Sequence, residues 1–301
     1  IPQQRNYFIF FLTDYFVTQI DNSFLNASYQ KFAGGGAIIN LNPGFTGFFK
    51  IGLSDLFNDY KIVGGMRISA DLNSNEYFLS YENRLKRLDK QIVLHRQALL
   101  DIVAYKSFIK MHTHEAMYIL KWPFTETAAI RGTINLRQDR TVHLSTDPFN
   151  LEQPNRYEYW GNAKMEYIFD NTRKRGLNLY YGTRCKFFAE YLRRIDKEKT
   201  DIIVLGMDVR NYKKIHRDFI WANRLAASTS FGKQKLVYYM GGVDNWFTPR
   251  FNNSTPTSTT ENYAYQTLAT PMRGFTQNIR NGNSFVLYNT ELRLPLFRYL
   301  I

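Results

Sequence analysis

His112 and His114 are the residues whose types and spacing come closest to a metal site. Standing two apart, they share a face if the segment is a strand, and two imidazoles on one face could share an ion. The pattern lacks a third ligand, because Glu115 follows immediately and would point to the other face. The expectation is two polar residues in a polar interior or at its rim, with no metal. His95, His143 and His216 are scattered. Cys185 is the single cysteine, so no intrachain disulfide is possible. A thiol nucleophile would need a histidine partner that sequence cannot place, and filler in or beside a strand is the simpler role. Gly34, Gly35 and Gly36 form a run with no helix behind it, which reads as a turn and not a phosphate cradle. Neither a Gly-Lys-Ser/Thr loop nor a G-x-S-x-G elbow occurs, and the carboxylates follow no catalytic pattern. The chain is not expected to be an enzyme or to need a cofactor.

One arginine stands out by its neighbours. Met272, Arg273, Gly274 and Phe275 end a loop rich in Asn, Ser, Thr and Pro. A guanidinium can make two parallel charge-assisted hydrogen bonds to a carboxylate, which would fix such a loop against a wall. Gly274 permits positive φ and close backbone approach, and Phe275 can anchor in an apolar patch. The plainer alternative leaves Arg273 in a solvated loop.

The elements that would carry these residues are strands. From Phe285 to Leu296, Val286, Tyr288, Leu292, Leu294 and Leu296 point one way, while Asn289, Glu291 and Arg293 point the other. From Glu158 to Asp170, Tyr159, Ala163, Met165, Tyr167 and Phe169 oppose Glu158, Asn162, Lys164, Glu166 and Asp170. Ile62, Met66, Ile68 and Ala70 oppose Arg67, Ser69 and Asp71, and Tyr77, Leu79 and Tyr81 oppose Glu76, Ser80 and Glu82. About a dozen such segments recur, each near the roughly 9–11 residues that cross a bilayer at a tilt. Phe219 to Ala227 fits either a helix or the strand series. Tight connections are expected at Asn73 to Asn75, Pro123 to Glu126 and Asn171 to Gly176, and long polar ones at Asp139 to Arg156 and Thr248 to Asn283. Alternate short and long loops suit a bacterial outer-membrane barrel.

Composition agrees with that reading without requiring it. Mean hydropathy is −0.39, yet a transmembrane barrel keeps half its strand residues facing a wet interior, so a low mean is expected. The 21 Tyr and 24 Phe suit interfacial aromatic girdles, and would also suit a large β-sandwich. A net charge of +13 invites nucleic acid, but the basic residues are spread among apolar ones and no stacking platform is present. The densest run, Arg84, Lys86, Arg87 and Lys90, falls in a turn beside Glu82 and Asp89. A charged interior, or loops meeting anionic lipid headgroups, accounts for the charge more simply. With no linker or composition break, residues 1–301 read as one domain, apparently truncated at both ends.

With these motifs the chain resembles the BamA-type outer-membrane assembly and translocation superfamily, the bacterial surface antigen barrels. Met272, Arg273, Gly274 and Phe275 match the family's hydrophobic-Arg-Gly-aromatic tip on the sixth extracellular loop. Asn289, Thr290, Glu291, Leu292, Arg293, Leu294 and Pro295 match the strand that follows it. Phe169, Asp170, Asn171, Thr172, Arg173 and Gly176 look like the family's aspartate-containing periplasmic turn. The resemblance implies an all-β, antiparallel transmembrane β-barrel of sixteen strands, about twelve of them visible. It implies a lumenal latch through Arg273, with Glu291 the best visible partner and Asp244 the second. It further implies a place in the bacterial outer membrane and a role in inserting or translocating proteins. The partners would be outer-membrane lipid, unfolded or translocating client proteins and accessory subunits, with no nucleic acid. Two alternatives stand beside this: a passive pore or anchor for an attached soluble domain, and a soluble all-β binding protein.

Overall fold

The structure is a computed structural model that describes residues 8–20, 26, 29–32, 46–69, 72, 74–103, 107–144, 152–176, 178–196, 198–243 and 250–295. Among these, every regular element is a strand. The chain begins with β1 (Leu12–Ile20), β2 (Gln30–Lys31), β3 (Thr46–Ser54), β4 (Tyr60–Ser69), β5 (Asn75–Asn83) and β6 (Asp89–Val103). It continues through β7 (Ser107–Pro123), β8 (Ala128–His143), β9 (Arg156–Asp170), β10 (Arg173–Gly176) and β11 (Leu179–Arg194). The last elements are β12 (Asp201–His216), β13 (Phe219–Gly232), β14 (Lys235–Met240), β15 (Tyr263–Leu268), β16 (Arg280–Gly282) and β17 (Ser284–Arg293).

The fold class is all-β and antiparallel. Thirteen of these strands form one large sheet in the order β1-β3-β4-β5-β6-β7-β8-β9-β11-β12-β13-β17, with β10 attached to β11. Neighbours in the path are mostly neighbours in sequence, as hairpin connections dictate. The chain divides into two compact units, residues 1–28, 40–120 and 135–159 in the first and 29–39, 121–134 and 160–301 in the second.

In each unit the alternation read from the sequence is present, and its sense is inverted relative to a soluble protein. In the first, Leu79, Leu94 and Leu136 are exposed at 51%, 51% and 59%. The polar residues that alternate with them, Glu76, His95 and Arg137, are at most 6% exposed. In the second, Met165, Phe187, Leu205 and Leu292 are exposed, while Glu166 and Glu190 are buried. Soluble proteins almost never bury charge fully while displaying rows of large apolar side chains.

The long polar connection expected between Thr248 and Asn283 carries β15 and β16 of a second sheet, β16-β14-β15-β2, whose β14–β15 pair is parallel. It packs on the buried face of β9, β11 and β12. Leu236, Tyr238, Ala264 and Tyr265 meet Trp160, Leu192, Ile202 and Val204 in an apolar cluster. The tip of β13 ties in through polar contacts, with Ser228 Oγ 2.8 Å from Tyr238 Oη and the Leu236 amide donating to Ser230 Oγ at 3.0 Å.

Other boundaries also move. The expected turn from Asn171 to Gly176 continues as β10, because Arg173 and Lys174 pair with Tyr181 and Tyr180. The reversal falls at Asn178, whose φ is 59°. The loop expected from Asp139 starts only after His143, since Asp139 is held in the sheet by Thr113 and Arg137. Phe219 to Ala227 is strand, and the last strand runs from Ser284 to Arg293, with Leu296 outside the described residues.

Candidate functional site

The polar face of the first unit carries a chain of buried ionic contacts across five adjacent strands, β4 to β8. Arg67 on β4 donates from Nε to Glu76 Oε2 on β5 at 3.0 Å. The imidazole of His95 on β6 bridges two carboxylates, with Nε2 2.8 Å from Glu76 Oε1 and Nδ1 2.9 Å from Glu115 Oε2 on β7. Glu115 Oε1 accepts from Asn135 Nδ2 at 3.2 Å and Arg137 at 3.3 Å, both on β8. Arg137 Nε donates to Asp139 at 2.9 Å, and Thr113 Oγ1 donates to the same carboxylate at 2.8 Å. Period-two alternation places all these side chains on one face; register sets Arg67 opposite Glu76 and His95 on the diagonal from it, opposite Phe78.

An ionised carboxylate only accepts hydrogen bonds, so His95 satisfies both neighbours only when both ring nitrogens donate. The row then holds three cations, Arg67, His95 and Arg137, against three carboxylates, Glu76, Glu115 and Asp139. Such a balance lets charge stay buried. The arrangement ties five strands together and makes one wall polar.

The second unit repeats this on a smaller scale. Arg131 Nε donates to Glu166 at 2.6 Å, with Lys164 and Lys186 at 3.5 and 3.8 Å from the same carboxylate. Tyr29 Oη donates to Glu190 at 2.7 Å, and Asn162 donates to Glu190 as well. Phe188 lies between the two lysines, whose ammonium groups stand 4.9 and 5.5 Å from the ring centre. The same ring covers Gly206, where a Cβ would collide with it. Within the second sheet, burial pushes Tyr239 up to about 12, so its hydroxyl stays a neutral donor to Gln266.

Two of the expected site residues, Arg273 and Glu291, do converge on one place, although they do not pair there. Gly274 takes the positive φ anticipated for it, at 88°. Arg273 lines a cavity of about 280 Å³ together with Arg210, Arg224, Asn289, Glu291 and Arg293. The Glu291 carboxylate, however, is held by Arg293 at 2.7 and 2.9 Å. The reason is geometric: residues 291 and 293 share one face of β17, so the fork reaches its neighbour without any loop movement. Arg210 and Arg224 are engaged by Asp208. Among the described residues Arg273 makes no ion pair, and Asp244 lies outside them. Phe275 is 51% exposed and not seated on an inner wall, while Met272 joins Gly242 in a β-bridge. Arg293→Ala is therefore expected to lower stability by about 1 kcal/mol more than Arg273→Ala, the sum of a half-exposed ion pair and its orphaned carboxylate. Urea unfolding of the two variants side by side reads this, and equal losses would restore a role for Arg273.

At the expected periplasmic turn, Asp170 accepts from the Thr172 amide and hydroxyl at 3.0 and 2.6 Å and from Arg184 at 2.7 Å. Asn171 Oδ1 accepts the Thr183 amide at 2.7 Å. Gly176 ends β10 and pairs with Leu179 at the start of β11. His112 and His114 share a face as expected, but it is the exposed apolar-bearing one, opposite Glu115. No group of three or more His, Cys, Asp or Glu with the geometry of a metal site occurs among the described residues. His95, passed over in the sequence as one of several scattered histidines, is the centre of the buried chain. Its only sequence signal is its place among the inward positions of β6.

No protein-family model matches the sequence, and no curated protein matches it. Among solved structures the chain is similar to BamA from Haemophilus ducreyi lacking POTRA domains 1–3, with 10% identity and a TM-score of 0.48. That match covers 66% of this chain and 40% of the BamA chain, so the chain spans less than half of that protein's length.

Proposed function

We propose that this chain is the membrane-spanning part of an outer-membrane β-barrel. One observation carries the reading: strand after strand exposes its apolar side chains and buries its charged ones. In water each displayed Leu-sized side chain forgoes about 1.5–3 kcal/mol of burial. In a bilayer the same face is matched to its solvent, and charge on the other face lines an interior that lipid does not reach. Long connections at 21–45, 144–155 and 233–283 all fall at one end of the sheet's strands, as the extracellular loops of such barrels do.

Within that class, we propose a role of the BamA kind, assisting proteins to insert into or cross the outer membrane. The Arg-Gly-Phe tip supports this. In a barrel of that kind, a weakly paired seam between strands would offer backbone groups to a client strand by β-augmentation. No bond chemistry is needed, and the partners are outer-membrane lipid, unfolded clients and accessory subunits. The passive-pore alternative fits less well with the second sheet packed on the buried face of β9, β11 and β12. An anchor for a soluble domain remains the second reading.

Thiol labelling tests the membrane placement. In a Cys185→Ser background reconstituted into vesicles, Leu94→Cys is expected to react with a lipophilic maleimide and resist a charged impermeant one. A cysteine at Leu56, in the connection between β3 and β4, is expected to react with the charged reagent when that end is accessible. Rapid labelling of Leu94→Cys by the charged reagent would sink the reading. Assisted folding of a denatured barrel substrate into the same vesicles tests the finer role.

A further inference from the structure

The exposed face of the first unit changes character abruptly at one level. Leu79 pairs with Leu94 and Tyr81 with Ile92. The contacts His95–Glu115 and Glu115–Arg137 fix how β6, β7 and β8 face one another. By alternation, Leu94, Ala116 and Leu136 then lie side by side on the exposed face. One step toward the long-loop end, the row reads Tyr77, Arg96, His114, Gln138 and Tyr159. The next row holds His112, Arg140 and Tyr157, with Lys110 beyond it.

This patch is cationic and uncompensated. Arg96 and Arg140 lie over the rings of Tyr77 and Tyr157, each 5.6 Å from the ring centre. Arg140 Nε is buried and makes no hydrogen bond among the described residues. The described carboxylates near these rows, Glu76, Glu115, Asp139 and Glu158, are on the opposite face and already paired. From His114 to Trp122 the exposed face of β7 carries Ala116, Tyr118, Leu120 and Trp122. That is about 26 Å of strand, or about 20 Å of height at barrel tilt, close to an apolar band of about 25 Å. Arg96, Arg140 and Lys110 thus stand at headgroup level if the band is in lipid.

We propose that this patch is a binding site for the phosphate of an anionic lipid in the leaflet at the long-loop end, with its acyl chains against Leu79, Leu94 and Leu136. The proposal rests on the membrane placement argued above and adds a specific ligand class to it. Guanidinium and ammonium groups supply the charge-assisted donors that a phosphate takes, and flanking tyrosines suit the wet edge of an apolar band. An acidic protein partner would also meet the charge, but not the continuous apolar rows directly below it.

Native mass spectrometry of the detergent-solubilised protein titrated with phosphatidylglycerol, phosphatidylcholine or inorganic phosphate tests this. Phosphatidylglycerol is expected to bind well ahead of phosphatidylcholine. Its affinity should fall about five-fold for each cation removed in Arg96→Gln, Lys110→Gln and Arg140→Gln, at about 1 kcal/mol per charge. Lys213→Gln and Lys214→Gln, at the other end of the sheet, serve as controls that should leave it unchanged. The single Lys110→Gln variant keeps the test valid if the triple variant does not fold. Equal binding of the two lipids, or no loss in the variants, overturns the proposal. Inorganic phosphate binding as tightly as the lipid would overturn the lipid assignment. Failure of the membrane placement shows separately, as charged-reagent labelling of Leu94→Cys.

Discussion

His95→Ala is expected to destabilise the protein by about 3–5 kcal/mol, the cost of breaking a buried ionic pair from one side. The His95 side chain and its Glu76 partner are fully buried, and Glu115 is 2% exposed. Removal takes one donor from each of two carboxylates at once. Arg67 still serves Glu76, while Arg137 and Asn135 still serve Glu115, so the loss stays within this range. His95→Gln should recover part of it, since one amide can donate to one carboxylate while its carbonyl faces the other unfavourably. Exposed Glu152→Ala should change stability by no more than about 0.5 kcal/mol. Urea unfolding in micelles, followed by tryptophan fluorescence, measures all three. A His95→Ala transition that overlays the wild type would mean that the chain of contacts holds nothing together.

That row also shows where sequence reading stops. The alternation of Glu76, Ser80 and Glu82 against Tyr77, Leu79 and Tyr81 was open to view, because a period of two needs only local information. The same holds for β9 and β17, whose bounds moved by only a few residues. Pairing is different. Glu76, His95, Glu115 and Arg137 lie about twenty residues apart in succession, and only register places them in line. Nothing local marked His95 over His112, which carries the more suggestive spacing yet stands on the opposite face.

The second sheet escaped for a related reason. β14 and β15 are short, pair in parallel and are joined by a segment rich in Ser, Thr, Asn and Pro, so local composition read as loop. Their identity as strands depends on burial of Leu236, Tyr238 and Tyr265 against Trp160 and Ile202, which is a tertiary effect. At the tip, the positive φ of Gly274 followed from residue type, whereas the partner of Glu291 did not. Arg293 claims it from two positions away on the same strand face.

Leu136→Arg should have an effect whose size depends on what surrounds the exposed face. Leu136 is 59% exposed and flanked by Ala116 on the neighbouring strand, with Leu94 one strand further. In water the arginine stem would lie along these neighbours with its charge in solvent, and stability would change by about 0.5 kcal/mol or less. In a bilayer the same change, one row inside the apolar band, should cost more than the about 0–1 kcal/mol of the interface and less than the about 2–4 kcal/mol of the midplane. Gln138→Arg, one row toward Arg96 and Arg140, should therefore be nearly neutral, and Leu94→Arg should repeat the loss at Leu136. Urea unfolding from vesicles, compared across the three variants, reads the cost as a function of depth. A steep fall between positions 136 and 138 would place the edge of the hydrocarbon at the tyrosine-lined row. Three equal, negligible values would leave the apolar face in water or against another protein, and both the membrane placement and the lipid site would fall with it.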